Sequence, residues 1–330
     1  MNLERPRNQT APWKWISPRK GTGFRWEQFI IRCGSPLCIR HQKALPSVLA
    51  RYRGIYYNNR WYHEIACVEQ SLIPRLEQLL SSYAQDRSRA HRLPLGLLLI
   101  SRGAITPIQL REALLRQRQS GTGKVGYWLR RLGHLNEGQL AAALSQQWGC
   151  PIFPLERTHC VATAFGSPPY LILATAKAVP VYATQDGRLL HIAFSDRIDH
   201  TLLYALEEML GCETVACVST ESAVQEALES LRRNISGTEI CFDSVREPAE
   251  MAATVCSYAT QLEAKRITVA RAGVYIWVAL FRKQSRRDLL FRVLDPATSA
   301  SATPLVPITE VYPPPADIRR DGVYDATGLL

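Results

Sequence analysis

Between residues 94 and 147 the apolar positions fall at helical spacing, and they do so twice. The first copy, Pro94 to Gln117, reads PLGLLLISRGAITPIQLREALLRQ, and the second, Lys124 to Gln147, reads KVGYWLRRLGHLNEGQLAAALSQQ. Each copy opens with a short apolar helix that stops at Gly103 or Gly133 and restarts at Thr106 or Asn136, residues with N-cap chemistry. The glutamine three positions on, Gln109 or Gln139, completes a capping box. Pro107 takes the first helical position, where its missing N–H costs nothing. The restarted helix presents Leu110, Ala113, Leu114 and Gln117 at i, i+3, i+4 and i+7, matched by Leu140, Ala143, Leu144 and Gln147. Eight positions coincide between the copies where chance gives roughly one or two, so the unit is an internal duplication. Two similar copies can form a pseudo-two-fold site suited to a two-fold ligand. Gly96 and Gly126, one step after an apolar residue at each helix start, fit either a ligand approaching the backbone or two helices crossing closely.

Elsewhere the periodicity changes. GIYYNNRWYH reads as strands around an Asn58-Asn59 turn. A helix is expected from a cap near Ser71 to Tyr83, with Pro74 in its first turn and Leu72, Leu76, Leu79 and Leu80 on one face. VPVYAT, Gln185-Asp186-Gly187 and RLLHIAF predict a β-hairpin. Ser195 or Asp196 is expected to cap a helix over Leu202 to Leu210, followed by a strand TVACV and a helix from Glu221 to Leu231. A helix from Met251 to Glu263 and strands Ile267 to Ala270 and Tyr275 to Phe281 come last.

The fold class expected is α+β and multi-domain: a small zinc-ribbon-like module, a duplicated helical subdomain and a small α/β sandwich. The expected divisions are a basic leader over 1–28, the zinc-ribbon-like module plus helix over 29–91, and the duplicated unit over 92–149. An α/β part over 150–232, a polar linker over 233–249 and a small α/β module over 250–293 follow. Residues 294–330, rich in Pro, Ala, Thr and Ser, form an expected disordered tail.

Composition is that of a soluble globular chain: of 330 residues, 46% are hydrophobic and 21% charged. No run of about 18 apolar residues exists and the N-terminus lacks a signal-peptide core, so the expectation is a cytoplasmic protein with no membrane insertion. The net charge of +11 is concentrated: residues 1–60 carry twelve Lys and Arg against Glu4 and Glu27. That placement keeps open an alternative, a nucleic-acid-binding protein acting through its basic N-terminus.

Nine cysteines, an odd number, argue against a disulfide framework. Cys150, Cys160, Cys212, Cys217, Cys241 and Cys256 stand singly and read as small hydrophobes. Cys33-x4-Cys38 and His63-x3-Cys67 form two close pairs of thiolate and imidazole donors, which suits a closed tetrahedral Zn²⁺ site of structural type. His41 competes with His63 as the fourth ligand.

The duplicated motif, with LAAALSQQWGCPIFPL and IAFSDRIDHTLLYALEEMLGCETVACVSTESAVQEAL, resembles the MshEN-type N-terminal domain of the type II secretion and type IV pilus assembly ATPases over about residues 92–232. The resemblance implies binding of cyclic di-GMP through both copies. The implied residues are Leu95, Gly96, Leu99, Gly103, Leu110, Leu114 and Gln117, then Lys124, Val125, Gly126, Leu129, Gly133, Leu140, Leu144 and Gln147. The family motif opens with arginine, where this chain has Pro94 and Lys124; Arg92 stands two residues earlier as a substitute. A secretion or pilus assembly machine is the implied partner. The ATPase phosphate loop is absent from the sequence: Gly121-Thr122-Gly123-Lys124 is followed by Val125 and lacks the upstream glycine. His63, His191 and Ser195 form no recognisable triad. The expectation is a non-enzymatic adaptor or sensor.

Overall fold

A computed structural model describes residues 30–38, 45–46, 54–81, 93–155, 168–184, 187–234, 239–243, 245, 247–283 and 285–293. The leader, the tail, Arg92, His41, Cys160, Tyr83, Gln185 and Asp186 lie outside the described residues.

The helices are α1 (Ile65–Ser81), α2 (Leu95–Ser101), α3 (Pro107–Ser120), α4 (Val125–Arg131), α5 (Glu137–Trp148), α6 (Tyr170–Ala176), α7 (His200–Leu210), α8 (Glu221–Asn234) and α9 (Pro248–Gln261). The strands are β1 (Ile30–Ile31), β2 (Leu45–Pro46), β3 (Ile55–Tyr57), β4 (Arg60–Tyr62), β5 (Ala178–Ala183), β6 (Leu189–Phe194), β7 (Glu213–Val218), β8 (Glu239–Phe242), β9 (Arg266–Ala272), β10 (Tyr275–Arg282) and β11 (Ser285–Arg292). Helices and sheets segregate into an α+β arrangement. None of the described helices is long and apolar enough to cross a membrane.

The main sheet has six strands in the order β4-β3-β9-β10-β11-β8, parallel where β3 meets β9 and where β11 meets β8, antiparallel elsewhere. Its central strand β10 reads YIWVALFR, an almost continuous apolar run, because both of its faces are covered. Ile276, Val278 and Leu280 point into a core shared with α1 and α9, while Tyr275, Trp277 and Ala279 join a second core built on α7. A smaller sheet, β5-β6-β7, pairs β5 and β6 antiparallel and β6 and β7 parallel, and packs one side against α8.

Several elements differ from the sequence expectation. Helix α1 starts at Ile65, not near Ser71. Ser71 is interior, its hydroxyl donating to the Cys67 carbonyl at 3.2 Å, and Pro74 lies within the helix rather than in its first turn. Asp199, not Ser195 or Asp196, caps α7, its carboxylate accepting from the Thr201 and Leu202 amides. The expected polar linker contains β8, and β11 forms where the sequence predicts no strand. The residues of β11, SRRDLLFR, are polar at one end and apolar at the other, so no single alternation marks it. The Asn58-Asn59 turn is present, both residues at positive φ (48° and 57°), the geometry a two-residue hairpin needs and asparagine tolerates. The hairpin it closes pairs with β9, so residues 54–62 and 266–292 share one sheet.

Candidate functional site

In the duplicated region both capping boxes form. Thr106 Oγ1 accepts from the Gln109 amide at 3.3 Å while the Thr106 amide donates to Gln109 Oε1 at 2.8 Å. Asn136 and Gln139 do the same at 2.8 and 2.9 Å. Gly103 and Gly133 sit at φ of 66° and 74°, and a Cβ on either would find nothing within 4 Å, so the left-handed turn after α2 and α4 is what demands glycine there. Leu99 and Leu129 are fully buried in the core that joins the four helices, with Ala113 and Ala143.

Gly96 and Gly126 sit where helices cross closely. A Cβ on Gly96 would meet the Leu110 side chain at 2.7 Å; one on Gly126 would meet Leu140 at 3.0 Å and Leu95 of the other copy at 3.5 Å. Leu95, Val125, Leu110 and Leu140 are half-buried around this crossing. Gln117 Nε2 donates to the Gly123 carbonyl at 2.8 Å, just before α4, and Gln147 Nε2 donates to the Leu93 carbonyl at 2.8 Å, just before α2. Each copy's long helix therefore ties down the start of the other copy's short helix. Lys124 pairs with Asp196, one of the two residues expected from the sequence to cap α7. Leu114 is exposed, whereas Leu144 is buried against Val218 of β7.

The second cluster is built from three elements. Cys33 follows β1 in a loop fixed by the Gly34 amide donating to the Trp61 carbonyl at 2.8 Å. A Cβ at Gly34 would strike Arg60 and Tyr62 at 2.9 Å, so only glycine lets this loop lie against β4. Ser35, fully buried, donates to Gln70 Oε1, and its carbonyl accepts from the Cys38 amide. His63 leaves β4 and Cys67 stands in the first turn of α1. The result brings Cys33, Cys38, His63 and Cys67 together with all ligand atoms within 4.8 Å of one another. His63 Nδ1 is 3.5 Å from Cys38 Sγ and 3.7 Å from Cys67 Sγ. His63 Nε2 lies 3.1 Å from Glu64 Oε1 but out of line for a hydrogen bond. Burial pushes the Cys33 thiol up, but hydrogen bonds from the His63 side chain and from the Ser35 and His63 backbone outweigh it and bring it down to about 7. Burial and the neighbouring Cys33 push Cys67 up. The second donor pair sits at a strand exit and a helix mouth rather than on a second hairpin turn.

Among the described residues no other cysteine joins a group of three or more metal-ligating side chains, though Cys241 Sγ lies 3.9 Å from Asp243 Oδ1. Burial pushes the thiols of Cys217 and Cys256 up to about 12, as for inert packing groups. His191 lies beside the Tyr182 ring, 5.5 Å between centroids, and His63 belongs to the cysteine cluster. What sequence reasoning missed is the charged seam between α4, α5 and α8. Arg130 reaches Glu137 and Glu221 at 2.9 Å each, Lys177 reaches Glu221 at 2.9 Å, and the Ser222 hydroxyl donates to Glu137. Only the arginine and glutamate residues carry a signal of it, and their spacing gives no pairing.

No family model matches the chain. The type IV pilus assembly ATPase PilB of Thermus thermophilus is 27% identical over 134 residues, 41% of this chain but only 15% of that protein. A solved structure of MshE with cyclic di-GMP is similar at 29% identity and a TM-score of 0.37, covering 42% of this chain and 99% of that one. The N-terminal domain of XpsE is similar at 18% identity and a TM-score of 0.33, covering 41% of this chain and 91% of that one. Over about two fifths of its length, this chain is similar to the N-terminal domains of secretion and pilus assembly ATPases.

Proposed function

We propose that the protein is an adaptor or sensor for a secretion or pilus assembly motor, and that its duplicated unit takes cyclic di-GMP. The observation that carries this reading is the reciprocal pair of glutamine ties, Gln117 to Gly123 and Gln147 to Leu93. They hold the starts of α2 and α4 as a pseudo-two-fold pair, and a cyclic dinucleotide is itself two-fold. Leu110 and Leu140 lie over Gly96 and Gly126 as matched apolar surfaces for the two halves of such a ligand. Lys124, at the place where the resembling motif has arginine, supplies a cation that Asp196 holds until a phosphate competes for it. The PilB relative supports the choice of motor class. Calorimetric titration of the full chain tests the proposal. Saturable heat with Kd below about 100 μM is expected, lost in Gly126→Asp, and no heat at that concentration removes the sensor half and leaves docking on a motor.

The cysteine cluster is assigned a structural zinc ion. Zn–S and Zn–N bonds of about 2.3 and 2.0 Å in a tetrahedron place sulfur and nitrogen about 3.5 Å apart. The distances from His63 Nδ1 to Cys38 and Cys67 are 3.5 and 3.7 Å, so the donors need little rearrangement. Glu64 Oε1 lies 3.1 Å from the other ring nitrogen without a hydrogen bond to it. With four protein ligands, the ion would staple β4 and α1 to the Cys33 loop. About one equivalent of zinc is expected in purified protein, falling in Cys33→Ser and Cys67→Ser together with the melting temperature. Zinc near zero in the parent protein overturns the assignment.

A further inference from the structure

We propose that the outward face of α3 docks an acidic amphipathic helix of a partner protein, an assignment that rests on the docking half of the function given above. Ile108, Arg111, Leu115 and Arg118 stand at i, i+3, i+7 and i+10 along this 14-residue helix. That spacing lines them up in one stripe, on the side away from Leu110, Ala113 and Gln117. Ile108 is 74% exposed and Leu115 is 55% exposed, and both arginines are exposed with them. The fold of the duplicated unit does not call for the two apolar side chains. Thirty residues on, α5 has Gly138 and Ser145 at the same positions and forms the same capped helix.

The second copy displays the same side of its long helix covered by protein. Ala141 and Leu144 of α5 are buried with Val218 of β7, and Trp148 lies beside His200 at the head of α7, 6.5 Å between ring centroids. The matching positions of α3 are Arg111, Leu114 and Arg118, and all three are exposed. The charge there selects the occupant. Arg111, Arg116 and Arg118 enter no ion pair among the described residues, and Glu112, the one acid of α3, is hydrogen-bonded to His134 at 3.0 Å. Apolar positions flanked by unpaired cations are complemented by a helix whose leucines recur at i, i+3, i+4 and i+7 with carboxylates beside them. Its leucines rest on Ile108 and Leu115, and its carboxylates meet Arg111 and Arg118. A second copy of this chain would instead set arginine against arginine across the contact. An anionic bilayer fits less well, because the broader apolar face of α3 is turned into the core and the stripe carries no aromatic residue.

The test titrates the full chain into a fluorescein-labelled peptide about three heptads long, with leucine at the a and d positions and glutamate beside them, and reads anisotropy. Saturation with Kd of about 100 μM or below is expected. Leu115→Ser should weaken binding about tenfold while the protein melts with the parent, since the side chain is exposed. The double variant Arg111→Glu, Arg118→Glu should lose the glutamate peptide and gain one carrying lysine in place of glutamate, an exchange that a merely structural role for the arginines would not produce. Equal binding of a scrambled peptide of the same composition overturns the proposal, as does peptide binding that survives Leu115→Ser and the charge reversal. Binding to phosphatidylserine vesicles without binding to the peptide also overturns it, as does self-association abolished by Leu115→Ser in a chain that ignores the peptide. Gly126→Asp should bind the peptide like the parent, so failure of the cyclic di-GMP reading is told apart. A pilus assembly ATPase that does not bind the chain while the peptide does removes the motor as partner and leaves the surface; the reverse outcome removes the surface and leaves the motor.

Discussion

The two copies of the duplicated unit share their internal construction and differ in what lies outside them. Within each, a capping box restarts the long helix, a left-handed glycine ends the short one, and a glutamine reaches across to the other copy. Toward the rest of the protein the symmetry stops. Leu144 is 7% exposed beneath Val218 and its counterpart Leu114 is 37% exposed. Arg130 and Glu137 join the seam with α8, and the first copy has Ile100 and Pro107 at those positions. The glycine stops and the glutamine ties are alike in both copies, whereas the ion pairs to α8 come from Arg130 and Glu137 of the second copy alone among the described residues. Among the described residues Leu95 of the first copy joins Leu144 against Val218, while Leu114 is exposed.

The sharpest way to break this comparison is at the leucines. Leu144→Ala should cost about 2–4 kcal/mol and Leu114→Ala under about 1 kcal/mol, read by denaturant unfolding. Equal losses would mean that the first copy is covered as well. At the caps, symmetry should hold: Thr106→Ala and Asn136→Ala are each expected to cost about 1 kcal/mol. The glutamine ties come next. Gln117→Ala and Gln147→Ala should each lose roughly 0.5–1.5 kcal/mol, and a double variant that departs from the sum would show that the two helix starts are coupled. The smallest effect belongs to the seam. Burial pushes the Glu137 carboxyl up, but hydrogen bonds from Ser222 and the Arg130 charge hold it below the usual glutamate range. Its folded form therefore binds protons less readily than its unfolded form. The stability it adds is complete above the usual glutamate range and is lost as pH falls below it. Glu137→Gln should flatten acid unfolding slightly, and a variant at Pro107 should not.

What the sequence made legible was local. The capping boxes, the glycine stops and the Asn58-Asn59 turn are each written in three or four consecutive residues, and each forms. The three cysteines of the cluster were also legible, with His63 as one of two candidates for the fourth place; His41, the other, lies outside the described residues. Pairing between distant segments was not. Nothing in EICF distinguishes β8 from a linker until Asp288 to Phe291 lies beside it. The cap of α7 was misplaced because Ser195, Asp196 and Asp199 all have capping side chains, and only the backbone path selects Asp199. Gly96 and Gly126 kept two readings in the sequence; the close approach of Leu110 and Leu140 accounts for helix crossing directly.

The pairing of β3 with β9 also sets an order of events during synthesis. Tyr57 leaves the ribosome about 200 residues before its neighbour Ile267, an interval of roughly 10–40 s at 5–20 residues per second. Through that interval the β3–β4 hairpin has no third strand, and Val68, Leu72 and Leu76 of α1 lack the core that α9 and β10 later supply. The donors at residues 33–67 are the first cluster of this region to be complete in the nascent chain. Metal capture there would hold the hairpin and the mouth of α1 in register while the rest of the sheet is being made.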